Sequence, residues 1–150
     1  MKSVKTPCIG ICSTTSLGDQ ICRGCKRFNY EVIHWNQYSD QEKRAVLSRI
    51  DKLTTQIMAE RFNIYSVSKL QQALDDYRFF YDKEMSPYCW LHNLFQKRLH
   101  RITALNELGV ELKPDYAGAD LKDLILDINQ QLFDLSQAHF ERYIGNFSSN

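Results

Sequence analysis

Residues 7–25 read PCIGICSTTSLGDQICRGC, and this stretch holds four of the five cysteines in the chain, Cys8, Cys12, Cys22 and Cys25. Three residues lie within the first pair, two within the second, and nine between the pairs. This spacing places a close-set ligand pair at each end of a loop, so that four thiolates can converge on one metal site. The sequence therefore predicts a small metal-binding module, which we assign to residues 1–38.

The number of ligands does not choose the metal, because zinc and iron–sulfur clusters both accept four cysteines. Zinc suits a closed tetrahedron of sulfur ligands about 2.3 Å away, and a site with no open coordination position favours structure over hydrolysis. The CRGC turn at residues 22–25 is similar to a zinc knuckle. We predict zinc, with an iron–sulfur cluster in a redox or electron-transfer protein as the alternative.

Several residues near the cysteines are expected to support the site. Gly24 is expected to let the chain turn tightly between two ligands, and Gly18 with the next residue to reverse the chain between the pairs. His34 is near enough in sequence to support the ligands from outside. The negative charge that four thiolates leave on a divalent ion is expected to be offset by Arg23, Lys26 and Arg27.

Composition is that of an ordinary globular protein of 150 residues, with 43% hydrophobic residues, 25% charged residues and a formal net charge of +1. No apolar run approaches the roughly 20 residues that span a bilayer, and the start MKSVKTP lacks the apolar stretch of a secretory signal. We expect a cytoplasmic protein without a membrane partner. In a reducing cytosol, a tight cysteine quartet is more typical of metal binding than of disulfides.

Helical periodicity dominates the remaining chain. Ser39 and Glu42 form a capping-box pattern that begins a helix over residues 39–61, which we expect to bridge the module and the rest. A second helical pattern spans residues 70–81. Ser86 followed by proline begins a third helix, which Gly109 is expected to end.

The last predicted helix begins at the cap Asp120 and ends at Gly145. Residues 63–68 and 110–119 are predicted to be connections, and no strand is expected. The predicted fold class is thus mainly α, with the four-cysteine module followed by an antiparallel bundle of three to four helices over residues 39–150.

A resemblance rests on PCIGIC, on GDQICRGC with Arg27, on Glu31, Ile33 and Trp35, and on the helix around QEKRAVLSRI. Together these motifs resemble a family of small bacterial proteins of unknown function, often labelled predicted Fe-S proteins, over about residues 6–55. The resemblance implies a bacterial four-cysteine module. After the last cysteine, where members often carry Gly, Arg and Thr, this chain has Lys26 and then Arg27 and Phe28, and all four ligands remain.

A basic cluster formed by Lys97, Arg98, His100 and Arg101 is the strongest sign of nucleic-acid binding outside the module, since this segment carries no acidic residue. We favour the alternative in which the cluster faces acidic residues of the last helix or solvent.

An isolated Cys89 is expected to be a small buried residue. No phosphate loop, nucleophile elbow or specific carboxylate pair is present, which argues against an enzyme. We predict a non-catalytic adaptor or interaction protein, with an unknown protein as the expected partner and nucleic acid as the alternative.

Overall fold

The computed structural model describes residues 4–8 and 12–148 and shows a mainly helical protein, which confirms the predicted class. Helices α1 to α6 lie at Ser13–Ser16, Asn29–His34, Asp40–Arg61, Val67–Asp76, Pro87–Arg98 and Leu121–Ser148. Short 3-10 turns lie at Trp35–Gln37, Leu99–Arg101, Leu105–Leu108 and Pro114–Tyr116. Within the described ranges, no helix is both long enough and apolar enough to cross a membrane.

Local hydrogen bonds begin the long helices, as the sequence predicts. The Ser39 N–H donates to Glu42 Oε1 and the Glu42 N–H donates to Ser39 Oγ, both at 3.1 Å. Ser86 Oγ accepts the N–H of Cys89 at 3.3 Å in the first turn of α5. Asp120 Oδ1 accepts a backbone N–H at 2.8 Å in the first turn of α6. These bonds satisfy amides that the helices themselves leave without partners.

The two predicted connections contain short strands, so the expectation of a strand-free chain was wrong. Strand β1 at Phe62–Ile64 pairs antiparallel with strand β2 at Val110–Leu112. Phe62 lies opposite Leu112, and Ile64 lies opposite Val110. Each strand has three residues, too few to show an alternating pattern in the sequence.

Three predicted helix ends were also wrong. Helix α4 ends at Asp76 rather than at residue 81, because Arg78 adopts a left-handed conformation with a φ of 54°. Helix α5 ends at Arg98, whose φ of −134° lies outside the helical range, so Gly109 is not its stop. Gly145 lies inside α6, which continues to Ser148.

The chain forms two compact units, one of residues 1–50 with 129–150 and the other of residues 51–128. The second unit is centred on β1, α4 and α5. The rings of Phe62 and Phe95 lie 5.3 Å apart there, among fully buried side chains that include Leu70, Leu74, Leu91 and Leu94.

The first unit contains the cysteine stretch. Its apolar cluster joins Ile21 and Phe28 to Phe140 of α6, and Tyr30 and Phe133 pack against these three. The rings of Phe28 and Phe140 meet edge to face, with centroids 5.2 Å apart. Residues at both ends of the sequence therefore build the surroundings of the cysteine stretch.

Candidate metal centre

Residues 20–29 form a tight hairpin that carries Cys22 and Cys25. The Cys22 N–H donates to the Arg27 carbonyl at 2.9 Å, and the Lys26 N–H donates back to the Cys22 carbonyl at 2.8 Å. Ile21 and Phe28 pair in an antiparallel bridge at the base of the hairpin. Because both sides of the turn are held by backbone hydrogen bonds, the two cysteines are fixed close together.

The sulfur of Cys22 accepts a cluster of hydrogen bonds. Its donors are the Cys25 thiol and the backbone N–H groups of Cys25, Ser13 and Gly24. The Cys25 thiol contributes most to lowering the pKa of Cys22 to about 4, burial opposes this, and the three amides add to the lowering. The site is therefore arranged to stabilise a thiolate, which is the form that binds metals.

Cys25 is the proton donor of this pair. Its hydrogen bond to Cys22 and its burial hold its pKa well above the usual thiol value. Arg27 acts in the opposite direction, since both its backbone N–H and its guanidinium point at the Cys25 sulfur, with an Nε to Sγ distance of 3.2 Å. N–H donors thus point at both sulfurs.

Ser13, the residue after Cys12, is bonded to the hairpin. Its side chain is 2% exposed, accepts the Arg23 N–H at 2.8 Å and donates to the Ile21 carbonyl at 3.4 Å. The Ser13 N–H also points at the Cys22 sulfur. Cys12 is the residue before Ser13, so its backbone lies close to the hairpin. Sequence reasoning missed Ser13. The one feature of the sequence that could have indicated its role is its position immediately after Cys12.

The first pair is more open than the second. Cys12 is half-buried, and its sulfur lies 3.1 Å from Thr14 Oγ1, whereas Cys8 is exposed. All five cysteines are free thiols. Among residues 4–8 and 12–148, no three Cys, His, Asp or Glu side chains are grouped closely enough to hold a metal ion. The structure thus brings Cys22 and Cys25 together and leaves Cys8 and Cys12 outside their sulfur pair.

The basic residues of the hairpin differ sharply in burial. Arg23 is exposed, forms a 3.2 Å ion pair with Asp19 and lies over the ring of Phe133. Lys26 and Arg27 are each only 4% exposed. The Lys26 ammonium donates to the Arg23 carbonyl, and burial lowers the pKa of Lys26 to about 8 while the charges of the two hairpin cysteines oppose that shift.

The left-handed residue of the turn is Lys26, with a φ of 66°, and not Gly24, which is absent from the residues with positive φ. Gly24 itself lies in the turn between the two cysteines, and its N–H points at the Cys22 sulfur. Gly18 adopts a φ of 71°, as expected of a chain reversal.

Arg27 links the hairpin to the 3-10 turn that follows α2. Its guanidinium carbon lies 4.9 Å from the ring centroid of Trp35, which is 5% exposed. The same guanidinium touches the Cys25 sulfur, so it is held between an aromatic face and a thiol. A planar cation suits both contacts, because it stacks on the ring and directs N–H groups outward.

A buried carboxylate ties the hairpin to α3. Glu31 accepts the Phe28 N–H at 2.8 Å, which caps α2. The same carboxylate binds Arg49 of α3 in a bidentate pair, with distances of 2.6 and 2.7 Å. The Arg49 guanidinium also lies 3.9 Å over the Phe28 ring. Sequence reasoning noted Glu31 only through the family resemblance and missed Arg49.

The other predicted residues lie apart from the cysteines. His34 is exposed, and its Nδ1 lies 3.4 Å from Gln37 Oε1. Cys89 is buried, and burial raises the pKa of its thiol to about 12, as expected of an unreactive residue.

Two residues of the basic cluster lie beside an aromatic ring. Lys97 Nζ and the Arg98 guanidinium lie 5.9 and 5.8 Å from the Phe79 centroid, and Arg101 is exposed nearby in sequence. In the described part of the chain, no carboxylate forms an ion pair with Lys97, Arg98 or Arg101. Asp127 of α6, one of the acidic residues expected to face this cluster, pairs with Arg61 at 2.9 Å instead.

The chain thus carries, in a mainly helical fold, a cysteine hairpin with donors directed at two sulfurs. A family model described as a protein of unknown function, DUF1289, matches residues 6–54. This confirms the resemblance predicted from the N-terminal motifs, and the matched segment contains the whole hairpin, Glu31 and Arg49.

Curated relatives match a segment of similar length. The uncharacterized protein YdhL of Escherichia coli K12 and that of Shigella flexneri are each 48% identical to this chain over 44 residues. The aligned segment covers 29% of this chain and 53% of each relative, so the chain spans about half the length of the curated relatives it matches. No solved structure matches the chain.

Proposed function

We propose that the first unit holds a structural zinc ion through Cys8, Cys12, Cys22 and Cys25. The observation that carries this proposal is the convergence of N–H donors on the sulfurs of Cys22 and Cys25. Such donors fit ligands that must remain deprotonated on a metal. Ser13 supports the inclusion of Cys12, because its amide reaches the Cys22 sulfur.

Zinc is preferred because four cysteines close its coordination shell and leave a structural centre. The alternative is an iron–sulfur cluster on the same ligands, which would make the protein an electron carrier. Zinc would supply folding free energy to a segment that has few apolar side chains of its own.

Metal analysis of anaerobically purified protein tests this proposal. We expect a colourless protein with about one zinc per chain, as a closed tetrahedral site requires. A brown protein with stoichiometric iron and acid-labile sulfide would select the cluster instead. A protein that takes up neither metal would overturn both assignments.

A matched pair of variants tests the ligands. Cys22→Ser is expected to abolish zinc binding, because it removes the sulfur on which the N–H groups converge. Cys89→Ser makes the same chemical change at a buried cysteine of the other unit and is expected to keep zinc. Unchanged zinc content in Cys22→Ser would contradict the assignment.

In this proposal the protein is a non-catalytic adaptor of the bacterial cytoplasm. We propose that the helices that follow residue 39 pack as an antiparallel bundle and that the metal module presents a surface to a protein partner. Exposed apolar side chains support such a surface, since Leu17 is 72% exposed and Ile33 is 68% exposed. A pull-down with the zinc-loaded chain, compared with an Ile33→Ser variant, tests whether this surface selects a partner.

Binding of single-stranded nucleic acid is the second candidate function. One observation favours it, namely that Lys97 and Arg98 flank Phe79 with no ion-paired carboxylate in the described ranges. Cations beside an aromatic ring suit a phosphate backbone with stacked bases. Phe80, the next residue, is 63% exposed.

Fluorescence anisotropy with a labelled oligouridylate tests this candidate. Binding is expected to weaken steeply as salt rises, and to weaken further when Lys97, Arg98 and Arg101 are changed to Gln. The triple change Lys52, Lys113 and Lys122 to Gln removes the same charge at exposed positions and serves as the control. Absence of salt-sensitive binding would remove the candidate.

A further inference from the structure

Two buried cations lie next to the candidate ligands. Lys26 and Arg27 directly follow Cys25, and each is only 4% exposed. A charged side chain is expensive to bury unless an opposite charge or a full set of hydrogen bonds compensates it. Two adjacent buried cations therefore require negative charge close by.

Among the described residues, the cysteine sulfurs are the groups near these two cations that can carry a negative charge. Neither Lys26 nor Arg27 forms an ion pair with a carboxylate in residues 4–8 and 12–148. The side chain of Arg27 instead contacts the Cys25 sulfur at 3.2 Å and stacks on Trp35. The Lys26 ammonium donates to the carbonyl of Arg23, which lies between the two cysteines in the chain. Both buried cations thus belong to the cysteine hairpin itself.

The backbone of Lys26 adds an independent observation. Its φ of 66° lies in the left-handed region, where a side chain costs free energy and glycine is favoured. Gly would fit the turn better if the backbone alone mattered. A lysine at this position indicates that its charge contributes something that offsets the strain.

The charge of the two buried cations equals the negative charge of a divalent ion with four thiolate ligands. A divalent ion held by Cys22 and Cys25 alone has no net charge, and two neutral ligands such as histidines would leave it so. The same ion held by four thiolates carries two negative charges, which equals the charge of Lys26 and Arg27 together. We propose that Lys26 and Arg27 are positioning residues that neutralise a dianionic centre, which therefore takes all four thiolates.

This inference rests on the proposed zinc site and assigns it a charge and a full ligand set. It also assigns no ligand role to His34, whose ring lies exposed beside Gln37. The dianion would form as bound zinc displaces the thiol protons. Two cations would balance the charge of any divalent ion that is held by four thiolates.

Zinc competition against a chromophoric chelator tests the inference. Arg27→Gln and Lys26→Gly are each expected to weaken zinc binding by roughly 10- to 100-fold, the usual effect of residues that support ligands from outside. Arg27→Lys keeps the charge and is expected to fall between Arg27→Gln and the unchanged protein. Lys52→Gln removes an exposed charge and is expected to leave affinity unchanged.

Lys26→Gly separates charge from structure. Because glycine relieves the backbone strain, this variant is expected to stabilise the hairpin while weakening zinc binding. A purely structural role predicts the opposite, with zinc affinity retained or improved. Equal affinity in Arg27→Gln, Lys26→Gly and the unchanged protein would overturn the inference and leave the zinc site standing.

Cobalt substitution counts the thiolates. The intensity of sulfur-to-cobalt charge transfer rises with each thiolate bound, so the cobalt-loaded chain is compared with Cys8→Ala and Cys12→Ala variants. We expect a four-thiolate spectrum that loses intensity in each variant. An unchanged spectrum in both would show a smaller ligand set and overturn the inference. Failure of the unchanged protein to bind zinc or cobalt would instead overturn the proposed function itself.

Discussion

Loss of Arg49 is expected to destabilise the first unit strongly. Arg49→Met leaves the Glu31 carboxylate, which is 5% exposed, with the Phe28 N–H as its remaining donor among the contacts described above. Removal of one partner from a buried ion pair costs about 3–5 kcal/mol, and the 26% exposure of Arg49 reduces that figure because water reaches the pair. Loss of the contact over the Phe28 ring adds about 0.5–1 kcal/mol. We expect a total near ~3 kcal/mol.

Urea unfolding followed by the fluorescence of Trp35 measures this cost. A Trp90→Phe background leaves Trp35 as the one tryptophan, because the chain has two, so that the signal reports the first unit. With a slope of about 2 kcal/mol per molar urea, a loss of ~3 kcal/mol lowers the midpoint by about 1.5 M. Metal content is held constant across the variants.

A double-mutant cycle with Glu31→Gln supplies the refutation. The glutamine side chain of this variant still accepts the Phe28 N–H, and the partly exposed Arg49 regains water, so this change alone is expected to cost about 1–2 kcal/mol. If the two residues act as a pair, the double variant costs less than the sum by at least ~1 kcal/mol. Costs that add within about 0.5 kcal/mol would refute the coupling.

Three further predictions concern the second unit and the metal. Gly109→Ala is expected to cost roughly 2–5 kcal/mol, because its φ is 71° and an added Cβ would lie 2.5 Å from the Ser66 carbonyl oxygen. Gly118→Ala, with a φ of 82° and open space, is expected to cost only about 1–2 kcal/mol, and equal costs in Trp90-monitored unfolding would contradict this difference. Burial raises the pKa of the Cys89 thiol to about 12, so the stability that this thiol contributes is complete below the usual thiol pKa and is lost as pH rises towards 12. Cys89→Ala should therefore lose less stability than the unchanged protein over that alkaline range. Identical pH profiles of the two proteins would disprove this prediction. Removal of zinc by a chelator is expected to speed amide hydrogen exchange in residues 20–29 while the exchange of α5 stays slow, and equal protection with and without chelator would contradict a metal-dependent hairpin.

Local signals predicted the fold well where they were sufficient. The capping box of Ser39 and Glu42 lies within one turn of helix, and its two hydrogen bonds form as the sequence indicates. Strands β1 and β2 could not be predicted in this way, since each pairs with a segment 48 residues away. The end of α5 at Arg98 also had no local signal in the sequence, since neither glycine nor proline stands there.

In the candidate site, too, the features set by local sequence were predicted and those that depend on distant contacts were not. Cysteine spacing identified the four proposed ligands, and the charges beside them directed attention to Lys26 and Arg27. The stack of Arg27 on Trp35 and the pair of Glu31 with Arg49 require α2 and α3 to be in place, so spacing alone could not reveal them. Gly24 lies in the turn between the cysteines, whereas the left-handed conformation of Lys26 could not be predicted, because glycine rather than lysine commonly adopts it.

The contribution of α6 to the hairpin has a consequence for synthesis on the ribosome. Phe140 completes the cluster around Ile21 and Phe28, and Gln137 bonds Gln20 from 117 residues further along the chain. At about 5–20 residues per second, translation needs roughly 6–23 s to cover that distance. During this interval the nascent hairpin has its cysteines but lacks its apolar cover, so early metal capture would protect the thiols while the chain is completed.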